Sequence, residues 1–199
     1  MIPLHEYLSV PGDPVRVVER ARDDGLPLWR RLEELAPWLR VERLRDGTHP
    51  RRTELHGSRP HGPIAFVGDL EQRLLEPLVE ALRTLATGQF DWETPATAER
   101  LRAGGPWELA VVVGPNCPFC PRVAATALRF ACASPRVAVE ILRSDSGLAP
   151  AQVTAIPTVL VAGKVVATGA IGEYALAEQV LERGSESWNG PRRYEPPHR

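Results

Sequence analysis

Apolar positions fall into two repeating spacings along this chain, and the C-terminal half shows them best. Residues 108–113 (ELAVVV) are a short β-branched run, which predicts a buried strand. Gly114-Pro115-Asn116 breaks it. Residues 117–133 then place Val123, Ala124, Ala127, Leu128 and Ala131 at helical spacing. Residues 136–142 (RVAVEIL) alternate and read as a second strand, and residues 148–155 as a short helix. Residues 156–161 are strand-like, Ala162-Gly163-Lys164 is a tight turn, and residues 165–167 return, which is a hairpin signal. Residues 173–183 close as a helix with Ala175, Leu176, Ala177, Val180 and Leu181 apolar. The predicted order is β-α-β-α-β-β-α.

The N-terminal half repeats this plan more weakly, as β-α-β-β-α. A strand is predicted at 15–19, and a helix over 26–39 with Leu28, Leu32, Leu35 and Trp38 on one stripe. Residues 39–44 alternate, residues 53–56 form a short strand, and residues 63–67 (PIAFV) a better one. Residues 70–85 are strongly helical, although Pro77 inside them should bend the helix or start its second part. Between the halves, Thr94 is a candidate N-cap for a connecting helix that stops at Gly104-Gly105. The expected organisation is an N-terminal extension (1–14), a first α/β unit (15–90), a linker (91–106), a second unit (107–184) and a polar, proline-rich, disordered tail (185–199).

Composition narrows the function classes. The chain has 199 residues, 43% hydrophobic and 25% charged, with a formal net charge of −1. That is an ordinary globular balance for one domain or two small ones. Charge is spread evenly, so a nucleic-acid surface has no support. No apolar run approaches the ~18 residues of a membrane span. The N-terminus has no basic start followed by an apolar stretch, so a cytoplasmic location is expected.

The cysteines carry the chemistry. There are three, Cys117, Cys120 and Cys132, an odd number that rules out a fully paired disulfide framework. In a reducing compartment a C-x-x-C pair is metal-binding or redox-active. The segment GPNCPFCP follows a buried strand and opens a helix, a context far more specific than the four-residue match alone. A cysteine at a helix N-terminus faces unpaired N–H groups and the positive end of the dipole, both of which favour thiolate. Cys117 is therefore expected to be the exposed nucleophile and Cys120 the inward resolving thiol. Pro118 removes a backbone donor and fixes the turn, and Phe119 adds apolar surface beside the thiol. Ile156-Pro157 falls where a loop meets a strand, and an X-Pro bond there can be cis. That would leave the Ile156 backbone free to pair with an extended substrate segment.

The bland alternatives weigh less. A structural zinc site needs four ligands, and there is no second C-x-x-C and no C/H pair at finger spacing, so no metal is expected. Cys132, on an apolar helix face, reads as a buried small hydrophobe. His49, His56 and His61 lie in a polar loop and read as solvated.

The strand–C-P-F-C–helix unit with its downstream Ile156-Pro157 resembles the thioredoxin family over residues 107–183. Gly169 falls where that family has a glycine after the last strand. The whole chain is similar to the N-terminal module of the alkyl hydroperoxide reductase flavoprotein subunit, and also to protein disulfide oxidoreductases. The matching stretches are Gly62-Pro63 through Thr87-Gly88, Cys117 to Val123, and Ile156-Pro157 through Lys164. The resemblance implies two tandem thioredoxin-like folds in one continuous mixed sheet flanked by helices. Residues 1–88 hold no cysteine, so the first fold would be catalytically silent. The buried acid of thioredoxin is replaced by Val111, and a glutamate of the silent half, matched here by Glu76, would approach the site instead. The implied activity is protein-disulfide reduction through Cys117 and Cys120 without a cofactor of its own. The implied catalytic residues are Cys117, Cys120, Pro157 and Glu76; Pro118, Phe119, Ile156 and Gly169 would meet substrate. No G-x-G-x-x-G fingerprint is present, so a separate flavin-dependent reductase would feed the pair, with a peroxiredoxin as one candidate acceptor. A binding or adaptor module with an incidental cysteine pair, and an oxidase or isomerase, remain the competing readings.

Overall fold

The computed structural model describes residues 3–70 and 72–183; the tail expected to be disordered lies outside them. A short helix, α1 (Leu4–Leu8), precedes the first unit, within the stretch expected to be a plain extension. The unit itself runs β1 (Val15–Ala21), α2 (Leu28–Leu35), β2 (Leu39–Arg45), β3 (Arg52–Gly57), β4 (Ile64–Val67) and α3 (Gln72–Thr87). Three strands therefore follow α2, one more than the predicted order counts. Pro77 sits inside α3, which runs through it as one helix rather than restarting there. The linker holds α4 (Ala96–Ala103), which ends at Gly104. The Thr94 side chain does not cap it: Pro95 stands at the cap position, and the Thr94 carbonyl accepts the Thr97 N–H at 2.9 Å.

The second unit runs β5 (Trp107–Val113), α5 (Cys120–Ala133), β6 (Val137–Arg143), β7 (Thr158–Val161), β8 (Lys164–Thr168) and α6 (Glu173–Arg183). The helix expected at 148–155 is absent. Pro150 supplies no N–H, and the segment makes a turn in which Val153 N–H donates to the Pro150 carbonyl. A 3-10 turn at Ser144–Ser146 takes the place of a helix between β6 and β7.

All eight strands form one mixed sheet in the order β2-β1-β3-β4-β6-β5-β7-β8. The order is one four-strand pattern used twice: in each half the second strand pairs parallel to the first, and the third and fourth follow antiparallel. The halves join where β4 pairs parallel with β6, from Ile64 opposite Val139 to Val67 opposite Leu142. Close approach at that joint needs a glycine. Gly62 N–H donates to the Ala131 carbonyl at 2.8 Å, and a Cβ on Gly62 would run into the Val137 carbonyl.

Because β4, β5 and β6 are parallel, α3 and α5 leave the same edge of the sheet. They pack against each other, with Leu78, Leu82, Ala124, Ala127 and Phe130 fully buried. The continuous core so formed removes most of the apolar surface of both helices from water. Polar contacts fix the junction. Arg129 of α5 pairs with Glu80 of α3 and with Glu173 of α6, each at 2.7 Å. Glu173 is 0% exposed and also accepts the backbone N–H groups of Glu93 and Thr94, so one carboxylate ties the linker to the second unit.

Candidate redox site

Strand β5 runs buried through Val111, Val112 and Val113 and delivers Gly114 to the sheet edge. The loop that follows holds Cys117, Pro118 and Phe119. Cys120 opens α5, with Pro121 directly after it in the first turn, where a missing N–H costs nothing. Cys117 and Cys120 are joined by a disulfide, with Cα atoms 5.4 Å apart. The Cys120 N–H donates to Cys117 Sγ at 3.1 Å. That donor, at the start of a 14-residue helix, favours negative charge on the Cys117 sulfur when the bond is reduced.

The structure corrects one expectation. Cys117 precedes the helix rather than starting it, and it is only 5% exposed, against 1% for Cys120. Both cysteines are buried, so the expected exposed thiol is recessed. Phe119, at 55% exposed, and Pro118 form the rim.

Ile156-Pro157 is cis, and β7 begins at the next residue. Pro157 is buried and Ile156 is exposed at the surface. A Cβ on Gly114 would collide with Ile156 Cδ1, so the side chain before the proline lies over the residue that starts the cysteine loop. Gly169, at φ +83°, donates its N–H to the Pro157 carbonyl at 2.8 Å. Its place is thus behind the proline, as a support of that loop. Val111, fully buried, occupies the position six residues before Cys117.

Glu76 is exposed on α3 and takes part in no ion pair among the described residues. The acid of the first unit that reaches α5 is Glu80, one helical turn on. Cys132 is buried in the same junction. Desolvation, helped by the Glu80 charge, pushes its thiol up to about 12. No group of three or more histidine, cysteine or acidic side chains positioned to hold a metal exists among the described residues. His61 is not simply solvated: its Nε2 accepts the Gly57 N–H at 2.8 Å.

Sequence reasoning missed the polar cluster of the first unit. The bond His49-Pro50 is cis and stands before β3 as Ile156-Pro157 stands before β7. Where the second unit has its cysteine loop, the first has residues 22–27. Next to Pro50, Arg51 is 8% exposed and reaches Glu19 at 3.1 Å, Asp23 at 2.7 Å and Asp69 at 3.0 Å. Glu19, 1% exposed, also accepts the Trp29 indole N–H at 2.8 Å. The available signal was a glutamate inside the apolar run VRVVERA.

Residues 108–182 match the thioredoxin domain family. The match spans the whole second unit from β5 to α6. No curated protein sequence matches the chain. Among solved structures, the chain is similar to the alkylhydroperoxide reductase AhpF of Enterococcus faecalis, with TM-score 0.74, 18% identity, and 89% of this chain and 95% of that chain covered. It is similar to the NTD_N/C domain of the same reductase, with TM-score 0.72, 17% identity, and 90% and 100% covered. It is also similar to a protein disulfide oxidoreductase from Aeropyrum pernix, with TM-score 0.73, 19% identity, and 91% and 90% covered. At these identities the likeness shows the fold: two thioredoxin-like units sharing one sheet. The redox-type cysteine pair sits at the expected place in the second unit. Together these features support a thiol–disulfide oxidoreductase in the general sense. Among the described residues, no helix is long and apolar enough to cross a membrane.

Proposed function

We propose that this chain reduces protein disulfides in the cytoplasm, with the second unit catalytic and the first silent. The observation that carries the reading is the Cys117–Cys120 disulfide at the opening of α5, with Cys117 Sγ hydrogen-bonded by Cys120 N–H and the Ile156 side chain over Gly114 at the start of the same loop. In the reduced protein the Cys117 thiolate attacks one sulfur of a substrate disulfide. The substrate S–S bond breaks, its second sulfur leaves as thiolate and takes up a proton, and a mixed disulfide remains. Cys120, deprotonated, then attacks Cys117 Sγ and expels the other substrate sulfur. Two electrons have moved to the substrate, and the chain is left as the intramolecular disulfide. A separate flavin-dependent reductase returns two electrons to it. A peroxiredoxin disulfide is the acceptor class we favour, in keeping with the name of the reductase that shares this fold.

In this scheme Ile156 offers backbone to the incoming segment, and Pro118 and Phe119 form its apolar wall. Glu76 is the acid of the silent unit assigned to approach the site. It stands on α3, which leaves the sheet at the same edge as α5.

The test is insulin-disulfide reduction driven by dithiothreitol, wild type against Cys117→Ser, with the potential of the pair measured by alkylation across a dithiothreitol series. Equal rates for the two proteins would refute the reading. A potential near about −270 mV fits a reducing relay, whereas about −180 to −120 mV assigns the pair to an oxidase or isomerase. A pair that never forms a disulfide in solution would leave an adaptor role.

A further inference from the structure

A cleft of about 600 Å3 lies at the C-terminal end of α3, at the far end of that helix from the redox loops. That size suits a small organic molecule. It is lined by residues 10–13, by Arg59 of the β3–β4 connection, and by Arg83, Ala86, Thr87 and Gln89.

Its charges are unbalanced. Arg59 Nε donates to Asp13 Oδ2 at 2.7 Å, which satisfies one cation with one acid. Arg83 has no carboxylate within ion-pair distance among the described residues. The acid one turn before it, Glu80, is taken up by Arg129. Arg83 is half-buried, its guanidinium stacks over the Tyr7 ring at 4.7 Å, and its Nη2 donates to Gln89 Oε1 at 3.2 Å. Its Nε is buried without a hydrogen-bond partner. A partly buried cation with no carboxylate at ion-pair distance carries a charge that an anion in the cleft would neutralise.

The surroundings are arranged for this. A helix C-terminus ordinarily repels anions. Here the end carbonyls are already engaged: Arg83 O accepts from Thr87 Oγ1 at 2.9 Å, Thr84 O from Gly88 N–H at 2.8 Å, and Ala86 O from Asp13 N–H at 2.7 Å. Gly88, at φ +68°, leaves the space that Arg59 fills; a Cβ there would collide with Arg59 Nη1. Two guanidinium groups thus border one cleft, with one positive charge in excess of the acid present. A guanidinium fork matches the oxygens of a phosphoryl group. Val10, Pro11 and Ala86 add an apolar wall for an organic body.

We propose that this cleft binds a phosphoryl group, free or carried on a small organic molecule, with Arg83 as its main counter-ion and Arg59 as the second. The test is calorimetric titration of the full chain at constant ionic strength, with inorganic phosphate and with phenyl phosphate as probes. Saturable binding of either, weakened at least tenfold by Arg83→Gln and less by Arg83→Lys, supports the site. Tighter binding of phenyl phosphate assigns it to a phosphate ester, and equal binding to the free ion. Absence of saturable binding, or an Arg83→Gln protein that binds as the wild type does, overturns it. Arg59→Gln, at a side chain 53% exposed, gives an independent variant should Arg83→Gln fold poorly. Insulin reduction stays unchanged in each variant, so this site and the redox reading fail separately.

Discussion

The backbone N–H of Gly169 donates to the carbonyl oxygen of Pro157 at 2.8 Å, tying the end of β8 to the loop whose Ile156 side chain lies over Gly114. Gly169 holds φ +83° in open space, with nothing within 4 Å of where a Cβ would stand. Gly169→Ala therefore meets no steric clash, only the backbone cost of a left-handed conformation, about 1–2 kcal/mol. Urea denaturation should show that loss with the slope unchanged. An unaltered midpoint would mean that the turn is free to re-form in another conformation.

The cysteine order fixes which variant traps substrate. Cys120→Ser keeps the outer sulfur but removes the resolving one, so a mixed disulfide through Cys117 should accumulate and be visible by mass. Cys117→Ser should trap nothing, because Cys120, the remaining cysteine of the pair, is only 1% exposed. The reverse pattern would reassign the nucleophile.

Arg129 is expected to be the most costly ion-pair residue to remove. Arg129→Met leaves Glu173, at 0% exposed, with a buried charge and two backbone donors but no cation. Breaking a buried pair from one side costs about 3–5 kcal/mol. Glu173→Gln should cost less, since the amide oxygen still accepts a backbone N–H, and the double variant should recover part of the loss. Urea midpoints of the three proteins measure this; strictly additive losses would show that the two groups do not interact.

Burial raises the Cys132 thiol to about 12 from an ordinary 9.0. The folded state therefore holds this proton more tightly than the unfolded chain does. The stability so conferred is complete below pH 9 and is lost as pH rises from there through about 12. Wild type minus Cys132→Ala should show stability falling across that window and flat below it. Cys117 and Cys132 are about equally buried, at 5% and 6% exposed, so thiolate character decides between them: in the native, reduced protein at about pH 8, iodoacetamide should label Cys117 and leave Cys132 untouched; prompt labelling of Cys132 would contradict its raised thiol.

The second unit was legible because its strands are β-branched runs and its cysteine pair stands between a strand and a helix. Helix α6 matches its predicted span of 173–183, and Pro157 is cis as its position suggested. The first unit was harder because its strands carry charge. β2 (LRVERLR) is an edge strand whose polar side chains face water, and β1 hides Glu19 among valines. The segment 148–155 misled because apolar spacing outweighed Pro150, which ends any helix there. The depth of Cys117 was not readable at all. Helical spacing does not show how the cysteine loop folds back, nor that the Ile156 side chain comes to lie over Gly114, a contact between segments about forty residues apart. The Glu80–Arg129–Glu173 junction was hidden for the same reason: helical spacing shows which face is apolar, not which charge on another helix will meet it.

The β4–β6 pairing has a consequence for any attempt to study the halves alone. Cutting the chain between them would turn two central strands into edges, each showing a row of unpaired N–H and C=O groups flanked by Phe66, Val67, Ile141 and Leu142. β2 can stand at an edge because three arginines and a glutamate line it; β4 and β6 lack that protection over their paired residues, apart from Glu140. Isolated fragments would recombine with each other or stack with their own copies into aggregates. The first unit thus has a structural part that owes nothing to electron transfer: it covers an adhesive edge of the second.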